Sequence, residues 1–208
     1  MVPRRIFDIR WSTPDPAGPA ARLREAGFDV DVDGVVPFPG ATIRIEAGPV
    51  GTERLDVHEG APGAGAIGPH ANGIDDVVAI GWATVDRERF LADLGSGSNE
   101  ELPRDPHLGA FAVRHGPAGP GPQVLVLEPD TEGRLVASLV RNAEGPAAIY
   151  FSAPGGLDAF VADARRRRTP VSSVQAGPLG PSVVLLGGPT WGPHLIVVDR
   201  PPGGTIAT

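Results

Sequence analysis

Asp8, Asp56 and His58 are the side chains of this 208-residue chain best suited to act together on one point. Carboxylate oxygens and imidazole nitrogens are ligands for divalent metals. Each sits in a run that alternates apolar and polar residues, the period of a strand buried on one face. Phe7, Ile9 and Trp11 alternate with Asp8, Arg10 and Ser12. Ile43 and Ile45 alternate with Thr42, Arg44 and Glu46, and Leu55 and Val57 with Arg54, Asp56 and His58. If the three runs share a sheet whose apolar side carries a helix, the other side collects Asp8, Arg10, Arg44, Glu46, Asp56 and His58. Two readings fit that face. One is a solvated sheet surface with cross-strand ion pairs. The other is a polar cavity that fixes a small organic ligand, with the arginines as carboxylate or phosphate clamps.

A second candidate set is Tyr150, Trp191 and His194. Tyr150 points opposite to Ile149 and Phe151 and offers a hydroxyl to a pocket, or it packs. His194 follows Trp191-Gly192-Pro193. Of the other histidines, His70 is expected to be solvated in a Gly-rich loop, and His107 and His115 to bracket a strand at the surface. Arg165, Arg166, Arg167 and Arg168 end a helical run, where cations favour the helix dipole and a solvated face is expected.

Much chemistry is excluded. The chain has no cysteine, so no thiolate nucleophile, disulfide or Cys-based metal site exists. All 18 basic residues are arginine, which removes Schiff-base lysines and the P-loop lysine. Neither a G-x-S-x-G elbow, nor H-E-x-x-H, nor G-x-G-x-x-G is present. A net charge of −7 argues against nucleic acid. No apolar stretch is long enough to span a membrane, and no signal-peptide core is evident, so a cytoplasmic protein without a membrane partner is expected. With 29 Gly and 24 Pro, about a quarter of the chain favours turns. Arginine-only basicity with abundant Gly, Pro and Ala resembles a high-GC bacterial composition.

The elements that position these residues repeat. Strand-like runs centred on Ile9, Ile80 and Ile149 recur at about 70 residues, each followed by a helix-like run. Runs centred on Val57, Val126 and Val197 recur at the same period and are read as closing strands. Further strands are expected at 29–33, 41–47, 107–115, 171–175 and 182–186. Leu157, Phe160, Val161 and Ala164 share one helical face. A helix over 131–142, capped by Asp130 or Thr131, falls outside the repeat. The reading is α+β: a first β-α-β-β-β unit at 1–59, a Gly/Ala/Pro-rich loop at 60–75, a second unit at 76–130, a connecting helix at 131–145, a third unit at 146–200 and a tail at 201–208. Each unit's helix lies on the outer face of a cupped mixed sheet.

This repeat resembles the vicinal oxygen chelate superfamily, the glyoxalase and bleomycin-resistance fold. Phe7-Asp8-Ile9-Arg10-Trp11-Ser12-Thr13-Pro14-Asp15 looks like the family's first strand and acidic helix start. Gly40 to Ile45 followed by Arg54-Leu55-Asp56-Val57 looks like its third and fourth strands, and Gly81-Trp82-Ala83-Thr84 like the start of a second unit. Leu185-Leu186-Gly187-Gly188-Pro189 leading to His194-Leu195 is similar to its closing hairpin. The resemblance implies paired units cupped around a ligand, with a divalent metal as Lewis acid held by first-strand and last-strand side chains. Carried over, the ligand positions fall on Asp8 and Asp56, near Ala79 and Leu125, and near Ala148 and Ile196. The last four have no donor atom. The expectation is therefore a small-molecule-binding protein of the sequestration or resistance kind, with no cofactor. The alternative is a metal-dependent lyase, isomerase or dioxygenase with a relocated centre at Asp8, Asp56 and His58. Three units depart from the family's two or four, and the unpaired one is expected to meet its copy in a homodimer.

Overall fold

The structure is a computed structural model that describes residues 7–50, 53–59, 68–116, 121–130 and 132–199. The element order is β1 (Phe7–Thr13), α1 (Ala17–Glu25), β2 (Val35–Pro37), β3 (Ala41–Ala47), β4 (Arg54–Glu59), β5 (Asp76–Ala83), α2 (Arg87–Leu94), β6 (Asn99–Asp105), β7 (Ala110–His115), β8 (Gln123–Pro129), α3 (Arg134–Asn142), β9 (Gly145–Ala153), α4 (Leu157–Arg167), β10 (Gln175–Gly177), β11 (Gly180–Val184) and β12 (His194–Asp199). Two sheets result, in the orders β2-β3-β1-β4 and β10-β11-β12-β9-β5-β8-β7-β6. The tail at 201–208, the cap at Thr131 and residues 60–67 of the first loop lie outside the described residues.

Ile9, Ile80 and Ile149 stand on β1, β5 and β9, the strands that precede α1, α2 and α4. Each of these strands pairs in parallel with the strand that closes its unit: β1 with β3, β5 with β8 and β9 with β12. In the first unit the closing strand is therefore β3, and the run at 54–58 has another place. It forms β4, antiparallel on the other edge of β1. The corresponding edges of β5 and β9 pair antiparallel with each other and join the second and third units into one sheet. Alternation marked 54–58 as a half-buried strand, but alternation carries no information on which edge it joins.

Other strands also differ from expectation. Residues 29–33 form no strand, because Asp31 Oδ1 accepts from the Asp33 and Val35 amides at 2.9 and 2.8 Å and turns the chain. Val171 makes one isolated bridge to Leu185, and the strand there begins at Gln175. β6 was not foreseen, since Asn-Glu-Glu-Leu-Pro-Arg-Asp shows no apolar alternation on an exposed edge.

The parity of β9 divides the core. Ile149 and Phe151 face outward and join one apolar cluster with α4, α1 and the apolar side of the first unit's sheet. The rings of Phe28 and Phe38 sit 5.2 and 5.5 Å from that of Phe151, so the small sheet packs with its helix-bearing side against the helix-bearing side of the large one. Ala148 and Tyr150 face inward and join a second cluster with Ala79, Leu125, Leu127, Ile196 and Leu135 of α3. β10 lies against β6, so the large sheet curls nearly closed around that second cluster. α3 touches β5, β8 and β9, with Leu135 and Ser138 fully buried.

Two histidines expected at the surface are buried. His70 accepts from the Asp29 amide at Nδ1, 3.1 Å, and packs edge-on against Phe38. Burial lowers its pKa below the ordinary value. His107 is buried with Nε2 3.1 Å from the Ser182 carbonyl oxygen.

If α3 is part of the inner core, Leu135→Ala will cost about 2–5 kcal/mol in urea unfolding. Val140→Ala, on the opposite side of the same helix at 84% exposure, will change stability by no more than about 0.5 kcal/mol. Equal small effects at both positions would mean that α3 merely rests on the surface.

Candidate functional site

The charged face of the first unit is assembled as its alternation indicates. Register places Asp8 opposite both Thr42 and His58, and Arg10 opposite both Arg44 and Asp56. Arg44 Nε lies 3.0 Å and Arg10 Nε 3.6 Å from the two oxygens of Asp8, and Arg54 makes a two-pronged pair with Asp56 at 2.7 and 3.0 Å. Ser12 donates to Glu46 at 3.4 Å. The arginines are about half exposed and His58 is exposed. Pairs of this kind in water contribute roughly 0–1 kcal/mol each. Among the described residues the face is an ion-pair ladder on the side of the sheet opposite its apolar cluster. Among the described residues no three His, Asp or Glu side chains come together as a metal-holding group.

The interior of the large sheet is the cup that the resemblance implies. The four positions carried over as metal ligands, Ala79, Leu125, Ala148 and Ile196, do face one another there, within one apolar cluster. None carries a donor atom, so the residues present do not fit a metal ion at those positions. Packing beside β5 is close. A β-carbon on Gly81 of β5 would stand 2.7 Å from a Leu127 methyl and 3.0 Å from the Ala148 β-carbon. At that point of β5 an added methyl would require the Leu127 side chain to shift.

The polar groups of the interior are used up in holding it. The Tyr150 phenol donates to Asp105 Oδ2 at 2.6 Å, and the same carboxylate accepts from the His107 and Leu108 amides at 2.9 and 3.1 Å. Burial, and then the Asp105 charge, pushes the Tyr150 phenol well above its ordinary pKa. His194 Nε2 lies 3.0 Å from Ser138 Oγ, whose own hydrogen goes to the Arg134 carbonyl oxygen at 3.1 Å. Burial, followed by the nearby Arg134 charge, lowers the His194 pKa to about 4. Tyr150 and His194 are thus brought into one interior, each bound to a different partner. Trp191 is not with them. It lies at the surface with the Arg141 guanidinium 5.5 Å from its ring centroid.

A cleft of about 390 Å³ opens elsewhere, between the two layers. Trp11 of β1, Pro19, Leu23 and Ala26 of the α1 region, and Leu185, Pro193 and Leu195 of the last hairpin give it apolar walls. Arg22, Glu25, Arg167, Arg168 and Thr169 give it a polar rim. Arg22 Nη1 donates to the Gly187 carbonyl oxygen at 2.8 Å, tying α1 to the β11–β12 loop. The Trp11 indole donates to Glu53 Oε1 at 3.2 Å, and burial holds that carboxyl above the ordinary carboxylate range. An apolar pocket with a few fixed polar groups and a volume of this order is the usual form of a small-molecule site. Sequence reading missed it because its wall residues are scattered from 11 to 195. The one local signal was the arginine run at 165–168, whose last members reach the rim.

The fold has solved counterparts. A single-residue variant of Streptomyces coelicolor methylmalonyl-CoA epimerase, in complex with 2-nitronate-propionyl-CoA, is 18% identical with a TM-score of 0.51, over 65% of this chain and 99% of that one. The methylmalonyl-CoA epimerase from Mycobacterium tuberculosis is 17% identical with a TM-score of 0.52, over 62% and 91%. A methylmalonyl-CoA epimerase in complex with methylmalonyl-CoA and NH4+ is 19% identical with a TM-score of 0.50, over 64% and 97%. No family model and no curated protein sequence matches the chain. The likeness establishes the fold alone: an α+β cupped sheet of the glyoxalase kind. Among the described residues no helix is long and apolar enough to cross a membrane.

His194 provides a pH test of the packed interior. It is neutral in the fold but takes a proton at its ordinary value of 6.5 when unfolded. Between pH 6.5 and about 4 the unfolded chain therefore binds more protons, and stability falls as the pH drops through that window. The full loss is roughly 3 kcal/mol. His194→Gln should remove that part of the slope in denaturant titrations at pH 7, 5.5 and 4, while His70 contributes equally to both proteins. Identical slopes would contradict a buried neutral His194.

Proposed function

We propose that this chain is a cytoplasmic small-molecule-binding protein of glyoxalase fold, of the ligand-sequestering or resistance kind. It holds its ligand in the interlayer cleft at Trp11, Leu23 and Leu195. The observation that carries this reading is the open cleft itself, whose apolar walls and arginine rim have the form of a small-molecule site, while at Gly81 the interior of the large sheet is closely packed. Apolar walls drive the association and the rim arginines orient it. The positions where the superfamily would seat a Lewis acid carry Ala79, Leu125, Ala148 and Ile196, so no step is assigned to a metal there. The relocated centre at Asp8, Asp56 and His58 receives less support, because Asp8 and Asp56 are paired with arginines, His58 is exposed, and the three do not gather into a metal-holding group among the described residues.

Ligand-observed NMR screening of the purified protein against soluble metabolites tests the site. Thr169→Trp places a large side chain in the cleft from a half-buried rim position and should abolish the binding of hits. Arg44→Ala, on the charged face, should leave the hits bound and change stability by no more than about 0.5 kcal/mol. Hits that survive Thr169→Trp and vanish with Arg44→Ala would return the site to the charged face.

A further inference from the structure

The charges around the cleft specify the class of ligand, an inference that rests on reading the cleft as the binding site. Its three guanidiniums are not equivalent. Arg22 donates to the Gly187 carbonyl oxygen and lies 3.9 Å from Glu53. Arg167 pairs with Asp163 at 2.6 Å and donates to the Ala71 carbonyl oxygen at 3.3 Å. Asp163 also takes Arg166 at 2.8 Å. Arg168, the next residue, has no ion-pair partner among the described residues, yet it lines the cleft.

Its backbone is also out of the ordinary. Arg168 caps α4 in the left-handed region, with φ of 61°. That is where a helix commonly places glycine, which adopts it without a steric penalty. An arginine there breaks a local rule, and its side chain makes no hydrogen bond or ion pair among the described residues. The fold gains from Arg168 only its side chain's position on the cleft wall.

The surrounding field selects among ions. α1 and α4 both end at this cleft, and Thr169 Oγ1 donates to the Glu25 carbonyl oxygen at 3.4 Å where they meet. Two helix C-termini bring partial negative charge, and Glu25 adds a carboxylate at the rim. A phosphate dianion meets that field more unfavourably than a monoanion does, and a cation would stand against the one unpaired guanidinium, that of Arg168. One carboxylate matches one unpaired guanidinium, whose fork accepts it through two parallel hydrogen bonds. We infer that the cleft binds an amphipathic monoanion, an aryl or acyl carboxylate. Its apolar body lies against Trp11, Leu23 and Leu195, and its carboxylate lies on Arg168.

Titration calorimetry with three matched probes tests this: 2-naphthoate, the neutral naphthalene-2-carboxamide and the cationic 2-naphthylmethylammonium. The full-length wild type should prefer naphthoate. Arg168→Gly should weaken naphthoate by roughly 2- to 5-fold, the loss expected for an ion pair on an exposed arginine, and leave the carboxamide unchanged. Arg168→Lys should restore part of the affinity. Arg168→Gly should melt no lower than the wild type, because glycine suits the backbone; a lower melting temperature would overturn the claim that Arg168 is kept for binding. Carboxamide or ammonium binding as tight as naphthoate, or naphthoate binding indifferent to Arg168→Gly, would overturn the ligand class and leave the cleft standing. Naphthoate binding that persists in Thr169→Trp, or no binding by any probe, would overturn the cleft itself and this inference with it.

Discussion

Every opening strand of a β-α-β-β-β unit has two edges, and the backbone groups on both must find partners. One edge goes to the unit's own closing strand. The other needs something from outside the unit. β5 and β9 meet this need for each other, antiparallel, and so create the eight-stranded sheet. With three units present, β1 is left over. β4 supplies its missing partner from within the chain, pairing Asp8 with His58 and Trp11 with Leu55. β1 is thereby paired on both sides, β2 and β4 become the edges of a separate sheet, and the first unit contributes no wall to the cup. It docks instead by its helix-bearing side, through Phe28 and Phe38 on Phe151, and turns Asp8, Arg10 and Arg44 to water.

That docking moves the open volume. In the interior, the facing side chains of six neighbouring strands and Leu135 of α3 form one apolar cluster, and buried polar groups there hold one another: Tyr150 and Asp105, His194 and Ser138. Buried polar groups without partners would be costly, and paired ones lock a unique packing. Between the layers, two helices end beside a hairpin loop that none of them covers completely. Arg22 spans that gap to Gly187, and the space beneath it is the cleft.

The legible parts of this architecture were local and periodic. The three isoleucine-centred strands before helices, and the α4 face of Leu157, Phe160 and Ala164, are set by patterns within about a dozen residues. The alternation that brings Asp8, Arg10, Arg44 and Asp56 onto one face was equally plain. Whether that face turns to water or to a ligand depends on what packs over it, and no short window contains that information. The run at 54–58 shows the same limit, since its pattern suits either edge of β1. β6 was silent because an exposed edge strand needs no apolar residues. The cleft joins residues from β1, α1, the end of α4 and the last hairpin, so it exists only in the folded chain.

A crystal structure of the protein with 2-naphthoate is the most direct test of this division between a packed cup and an open cleft. The account predicts the naphthyl ring against Trp11 and Leu195, the carboxylate on the Arg168 guanidinium, and α3 unmoved with Leu135 still covering Leu125 and Tyr150. A naphthyl ring found between Ala79, Leu125 and Ala148, with α3 displaced from the sheet, would contradict it.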